Sequence, residues 1–538
     1  MESNFIKTII ENDIKSGKHK EIITRFPPEP NGYLHIGHAR AIIINFELAK
    51  AFGGKTYLRF DDTNPSNENM KYVESAIEDI KWLGYEPAGI FFASDYFDFM
   101  YEKALVLIKK GLAYVDRQTA EEISVQRGNI QKPGTNSPYR DSSVAENLKL
   151  FSDMKAGKFQ PGEMVLRAKI DMASPNMNMR DPAIYRITNQ EHFRKGKEWC
   201  IYPLYDFAHP LEDAKEGITH SLCSLEFEDH RPLYNWVVEN TDCQHHPRQI
   251  EFGRLNIENT VLSKRYLKAL VDNNLVNGWD DVRMPTIKGL QKKGYSADAI
   301  RAFILGAGLS KTNADCSREM LESFVRSDLM EKSARLNAII DPLEIEITNF
   351  PEGEVETIKV PILEGKEERD LYFSKHLYID KADFLKEKPN RQWKRLYMGG
   401  EVRLMNAYFI KCDDVVLNHA GEVIKLLCTY DPATKSGSGF DLRKPNGTIN
   451  FVEKTSAKPA TFFFTDDLID NSKYGDLIER FNRSSLVEKH GFVEPYCEKN
   501  RQNQVVQFIR QGFFCKLKSE NQEHLFVETV KLKSNFKK

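Results

Sequence analysis

Two short motifs more than two hundred residues apart constrain this chain most: His35-Ile-Gly-His38, just after a β-type run, and Leu262-Ser-Lys-Arg265, in a basic loop. Either tetrapeptide alone is a common loop coincidence. The first, however, closes the longer run Arg25-Phe-Pro-Pro-Glu-Pro-Asn-Gly-Tyr-Leu-His-Ile-Gly-His38, placed after a strand pattern and before a helix pattern. Together the two motifs imply a nucleotide-binding α/β domain that assembles one ATP site from distant parts of the chain.

The flanking sequence alternates accordingly. Glu21–Phe26 is a short β-type run, Ala39–Phe52 carries helical apolar spacing up to Gly53-Gly54, Thr56–Phe60 is a second strand pattern, and Tyr72–Leu83 is helical again. Strand, helix, strand, helix predicts a parallel sheet with crossovers, whose ligands sit outside the carboxyl ends of the strands. From 96 to 204 the pattern is irregular and reads as an inserted domain. Core signal returns at Trp199–Phe207, and 256–340 reads as mostly helical, including Ala297–Ile304 and Glu319–Ile340. After Asp341-Pro342, short alternating runs such as Val402–Ile410 and Glu422–Cys428, separated by Gly-, Ser-, Pro- and Asn-rich turns, predict β-barrels.

Composition narrows the class without naming a partner. Among 538 residues 41% are apolar and 29% charged, and no apolar run reaches the ~18–20 residues of a membrane span. The first residues lack a signal-peptide pattern, which predicts a cytoplasmic protein. Eight cysteines without a Cys-x-x-Cys spacing predict reduced thiols, with no structural zinc and no metal held by the protein. A net charge of −2 leaves RNA binding open, since a large chain can cluster its cations on one face.

The chemistry expected of the two motifs is phosphate chemistry. A helix N-terminus offers backbone N–H groups and partial positive charge to phosphate. The imidazoles of His35 and His38 add donors, and Gly37 lets a flat adenine approach the backbone. Lys264 supplies an ammonium where charge develops on departing pyrophosphate, which favours the transition state over the ground state. A competing reading fails: Gly54-Lys55-Thr56 resembles the end of a P-loop, but Ala49 stands where that loop needs its first glycine.

These residues, with Leu58-Arg-Phe-Asp-Asp-Thr-Asn-Pro65, Leu166–Pro175, Trp199–Phe207 and Gly217–Phe227, make the chain resemble the class I aminoacyl-tRNA synthetases, more narrowly the glutamyl/glutaminyl branch, over nearly its whole length. The resemblance implies a multidomain α/β plus all-β fold. A Rossmann-type catalytic domain (1–95 and 205–255) is split by an acceptor-stem-binding insertion (96–204). A helical stem-contact subdomain (256–340) and two anticodon-binding β-barrels (341–538) follow. It implies an ATP site lined by Glu29, Pro30, Asn31, His35, Ile36, Gly37, His38, Ala39, Arg40, Ala41, Ser224, Arg254, Leu255, Leu262, Ser263 and Lys264. His35, His38 and Lys264 would carry the chemistry. Arg25, Asp61, Tyr205, His209 and Cys223 would bind the amino acid, with Asp61 on its ammonium and Tyr205, at a strand's end, on its side chain. Asp229 would meet the acceptor stem, and Gln392, Arg395, Arg403, Gln507 and Arg510 the anticodon, with Phe508 available for stacking. Met405 departs from the branch's second arginine there, so one RNA contact is in doubt.

The implied reaction is attack of the amino acid's carboxylate on the α-phosphorus of ATP, with Mg²⁺ sharing the phosphate charge, and then transfer to the terminal ribose 2′-hydroxyl of a tRNA. The amino acid is the sharp question. Glutamate enzymes of the branch tend to carry an arginine where Cys223 stands, and His209 follows the glutamine pattern, so L-glutamine and tRNA(Gln) are expected. Arg25 is the cation that argues for glutamate. Other readings are a glutamate-specific enzyme, a non-catalytic RNA-binding derivative and a short nucleotidyltransferase, the last disfavoured by the β-rich tail. A monomer is expected from the resemblance alone.

Overall fold

The computed structural model describes residues 3–533 apart from 67, 364–366, 502–503 and 522. It divides into two units, Met1–Ile257 with Arg301–Cys316, and Glu258–Ile300 with Ser317–Lys538.

The first unit is built on a parallel sheet. Strands β1 (Ile23–Phe26), β2 (Lys55–Phe60) and β3 (Ile90–Phe92) pair in parallel, with Ile23 opposite Lys55 and Leu58 opposite Ile90. The helix Ile36–Ala51 joins β1 to β2, and its isoleucines 36, 42, 43 and 44 are all buried. Such a helix lies in the core on most of its surface. Its exit is set by glycine: Gly53 has φ +66°, and a Cβ on Gly54 would lie 2.0 Å from the Ile22 carbonyl oxygen.

After β3 the chain leaves the parallel sheet for an antiparallel one, β4 (Ala113–Asp116), β5 (Val165–Ala168), β6 (Ala183–Ile187) and β7 (Ile201–Pro203). Helices Phe97–Lys109 and Val144–Lys155 cover it through Met100, Leu107, Phe151 and Met154. The same core takes in Phe207, Leu211, Leu233 and Val237, so the insertion and the helices after it share one apolar interior. The chain then returns as parallel strands β8 (His220–Ser224) and β9 (Arg248–Phe252). The Thr219 amide donates to the Ile23 carbonyl at 3.0 Å, which seats β8 beside β1. The working order is therefore β3-β2-β1-β8-β9.

The second unit carries helices Lys264–Asp272, Ile287–Lys292 and Arg318–Lys332 and two seven-stranded sheets. Two expectations are corrected here. The helix expected over Glu319–Ile340 stops at Lys332, and Ala334–Leu336 and Ala338–Ile339 are strands. They pair with Val506–Phe508 and with Phe492 and Val493, a non-local pairing that overrides local spacing. Likewise Val402–Ile410 is no single strand. Glu401–Leu404 and Phe409–Leu417 form a hairpin around Asn406, whose φ of +63° its short polar side chain tolerates. Among the described residues no helix is long and apolar enough to cross a membrane.

Candidate active site

The loop from Pro27 to Leu34 leaves the carboxyl end of β1 and is tied to the loop after β2: the Asp61 amide donates to the Pro28 carbonyl and the Asn69 amide to that of Pro30, each at 3.0 Å. Glu29 and Asn31 are hydrogen-bonded to each other. His35 then caps the helix. Its Nδ1 accepts the Gly37 amide at 3.1 Å, while the His38 Nδ1 accepts the His35 amide at 3.0 Å. The two rings lie 3.8 Å apart between centroids.

This reciprocal cap corrects the simple helix-terminus picture. The amides of Gly37, His38 and Ala39 already have partners within the turn. With each Nδ1 accepting, a neutral ring carries its proton on Nε2. The side-chain donors this loop can offer an anion are therefore imidazole N–H groups, backed by the helix dipole. Ile36 and Ala39 point into the core, so only their backbone can line a ligand. The Arg40 guanidinium is buried as well, donating to the Gly253 and Gly308 carbonyls at 3.2 and 2.9 Å. It braces two loops of the first unit against the helix. Ala41 packs against the Ile6–Ile44 cluster, and Leu255 is buried. Ser224 and Arg254, at the ends of β8 and β9, both bond Glu226. Leu262 and Ser263 lead into Lys264, the first residue of its helix, in the second unit.

The residues expected around the amino acid converge. Arg25, fully buried on β1, reaches His209 Nε2 at 3.0 Å and Cys223 Sγ at 3.6 Å. The Tyr205 ring stacks on His209 with centroids 5.0 Å apart. Tyr205 itself is corrected: it opens the helix Tyr205–Glu216, two residues beyond β7. Burial pushes the His209 pKa down to about 3, with Asp213 opposing and Arg25 reinforcing, so this imidazole is neutral. Asp61 is buried and accepts the Thr63 hydroxyl at 2.8 Å; burial raises its pKa to about 6.

What sequence reading missed is the network beneath this pocket. Asp213 takes the Arg25 Nε at 2.8 Å, the Arg59 Nη2 at 2.7 Å, and the hydroxyls of Ser221 at 2.6 Å and Tyr234 at 2.9 Å. Arg59 also pairs with Glu212 and Glu216, each at 2.8 Å. Burial alone would raise the Asp213 pKa, but the Arg25 and Arg59 guanidiniums and the Ser221 hydroxyl hold it far below the carboxylate range. The signal was available: acids one helical turn apart at 212 and 216, with His209 and Asp213 likewise spaced, facing arginines on neighbouring strands. Glu68 was also missed. Burial, then Asp62, pushes its pKa up to about 10, leaving it neutral beside Asp61 and Asp62.

The profile of the tRNA synthetases class I (E and Q) catalytic domain matches residues 21–331. The chain belongs to the class I (E and Q) tRNA synthetases. Its anti-codon binding domains match residues 333–431 and 448–516. Relatives named glutamine–tRNA ligase include those of Clostridium kluyveri, 52% identical over 99% of this chain and 98% of the relative, and Proteus mirabilis, 49% identical over 100% and 98%.

In this synthetase the residues expected to meet RNA differ in how they are held. Asp229 is exposed, with its carbonyl accepting the Asn176 side-chain amide at 2.7 Å. Gln392 is exposed and Gln507 half-buried. Arg395 and Arg510, one from each anticodon-binding domain, meet on Asp383, at 3.3 Å and in a two-pronged contact respectively. Arg403 is occupied by the Thr434 carbonyl and the Ser436 hydroxyl of a distant turn, both at 2.9 Å, and lies over the Phe409 ring. Met405 donates its amide to the Ile449 carbonyl. Phe508 is corrected: it is wholly buried among Phe462, Phe514 and Phe526, so no base stacks on it.

Proposed function

We propose that this synthetase is a glutamine–tRNA ligase. It activates L-glutamine with ATP, bound with Mg²⁺ as the substrate complex, to glutaminyl-adenylate and diphosphate. It then transfers the glutaminyl group to the terminal ribose 2′-hydroxyl of tRNA(Gln), releasing AMP. The observation that carries the choice of amino acid is the sealed pair of Arg25 and Asp213, 2.8 Å apart and both fully buried. The one cation that argued for glutamate is already matched by a carboxylate. Cys223 adds no second one, and its partner in register on β9 is Glu251. A pocket whose charges are internally balanced accepts a neutral amide. A substrate carboxylate would lie there without a counterion, which is costly in a dry site.

In this reading the Nε2–H groups of His35 and His38 hold phosphate oxygens, Asp61 holds the substrate ammonium, and Tyr205 meets the side-chain amide. Lys264 stabilises the charge that leaves with pyrophosphate. Positioning and electrostatics do the chemistry, with no obligatory side-chain base. In this reading the protein works as a monomer in the cytoplasm.

The test is isotope exchange between pyrophosphate and ATP, with glutamine or glutamate and with or without tRNA(Gln). Exchange is expected with glutamine and tRNA together; exchange driven by glutamate instead would replace this reading with the glutamate-specific one. Lys264→Ala should slow exchange by roughly 10²-fold or more while leaving tRNA affinity nearly intact.

A further inference from the structure

At the amino end of β8, opposite the edge that carries the candidate active site, three potential metal ligands from distant parts of the chain come together. Asp13 sits near the end of the helix Phe5–Lys15, His19 in the segment leading to β1, and His220 at the first position of β8. One ligand atom from each lies within 4.8 Å of the other two.

We propose that Asp13, His19 and His220 form a binding site for one divalent transition-metal ion of the zinc class. Two imidazoles and one carboxylate are a donor set suited to such an ion. His220 Nε2 and Asp13 Oδ2 are 3.2 Å apart. That is about the edge of a tetrahedron whose ligands sit ~2.0–2.2 Å from the metal. His19 supplies the second observation: its Nε2 is buried without a hydrogen-bond partner, an arrangement folded proteins avoid unless the atom has another use. It lies on a connecting segment, where closing the remaining distance requires no rearrangement of a helix or strand.

The surroundings resemble an outer shell. The other nitrogen of His220 is 2.9 Å from the Thr219 hydroxyl, which fixes the ring's orientation. Arg248 Nη1 lies 3.2 and 3.1 Å from the two Asp13 oxygens and aims the carboxylate. Arg248 is also a competitor, a cation already on the ligand, and Lys18 adds positive charge nearby. The site should therefore be modest in affinity and tighten when Arg248 is removed. A bound ion would join the N-terminal helix to the sheet and raise stability by linkage.

The test uses the full chain, stripped with a chelator and titrated with Zn²⁺ against a chromophoric competitor, and separately with Co²⁺ for the visible absorption of tetrahedral cobalt. One equivalent should bind and raise Tm. Affinity should fall about tenfold or more in His19→Ala and Asp13→Asn, and strengthen severalfold in Arg248→Ala. Aminoacylation should be unchanged in His19→Ala, because this residue lies outside the active-site machinery. Should a ligand variant fold poorly, Arg248→Ala still decides. No binding at all, unchanged affinity in His19→Ala, or weaker binding in Arg248→Ala would each overturn the site.

Discussion

Two clusters of arginines around a single aspartate mark the two units, and they differ in exposure. In the first, Arg25 and Arg59 close on Asp213 with all three side chains at 0% exposure. In the second, Arg395 and Arg510 close on Asp383, which is 4% exposed while the arginines are 41% and 28% exposed. The difference separates two uses of the same pairing. A sealed cluster cannot exchange partners, so on the function proposed above its charges would shape and neutralise the substrate cavity. A half-open cluster leaves guanidiniums at the surface, where, on the function proposed above, they would trade a carboxylate for a phosphate or a base edge.

The comparison breaks most easily at Asp213. Replacing it by Asn leaves the buried Arg25 guanidinium without its carboxylate, while Arg59 keeps Glu212 and Glu216, and should lower stability by about 3–5 kcal/mol in urea unfolding, whereas Asp383→Asn should cost far less. Equal losses would erase the distinction. Next in size, Arg510→Ala should weaken tRNA binding by about 1–3 kcal/mol and leave stability within ~1 kcal/mol, measured by filter binding and by unfolding. Cys223→Arg places an unmatched cation beside the sealed pair. It should raise glutamate use relative to glutamine by roughly tenfold, given that a guanidinium–carboxylate contact near 4 Å reaches up to ~4 kcal/mol at an effective dielectric of 20. An unchanged ratio removes Cys223 from the specificity argument.

The smallest effect is one of pH. On the proposed reading Asp61, with a pKa of about 6, must be ionised to pair with the substrate ammonium. Binding lowers that pKa further, so affinity is present above about 6 and is lost as pH falls through it. KM for glutamine should rise severalfold between pH 7 and pH 5, with the inflection gone in Asp61→Asn.

By itself the sequence determined the strand–helix–strand start, the position of His35–His38 at a helix N-terminus, the change to β structure in the second half and the family, because these depend on local spacing and contiguous motifs. Only the tertiary structure decided that the two histidines cap their own helix, that Arg40 is a brace, that Phe508 is core and that the helix after Glu319 gives way to strands at Ala334. The cap is a local side-chain geometry that spacing does not show; the other three turn on partners far away in the chain. The balance of Arg25 by Asp213 is the plainest case: the residues are 188 positions apart, and the charge of a buried pocket is a sum over neighbours that only folding assembles.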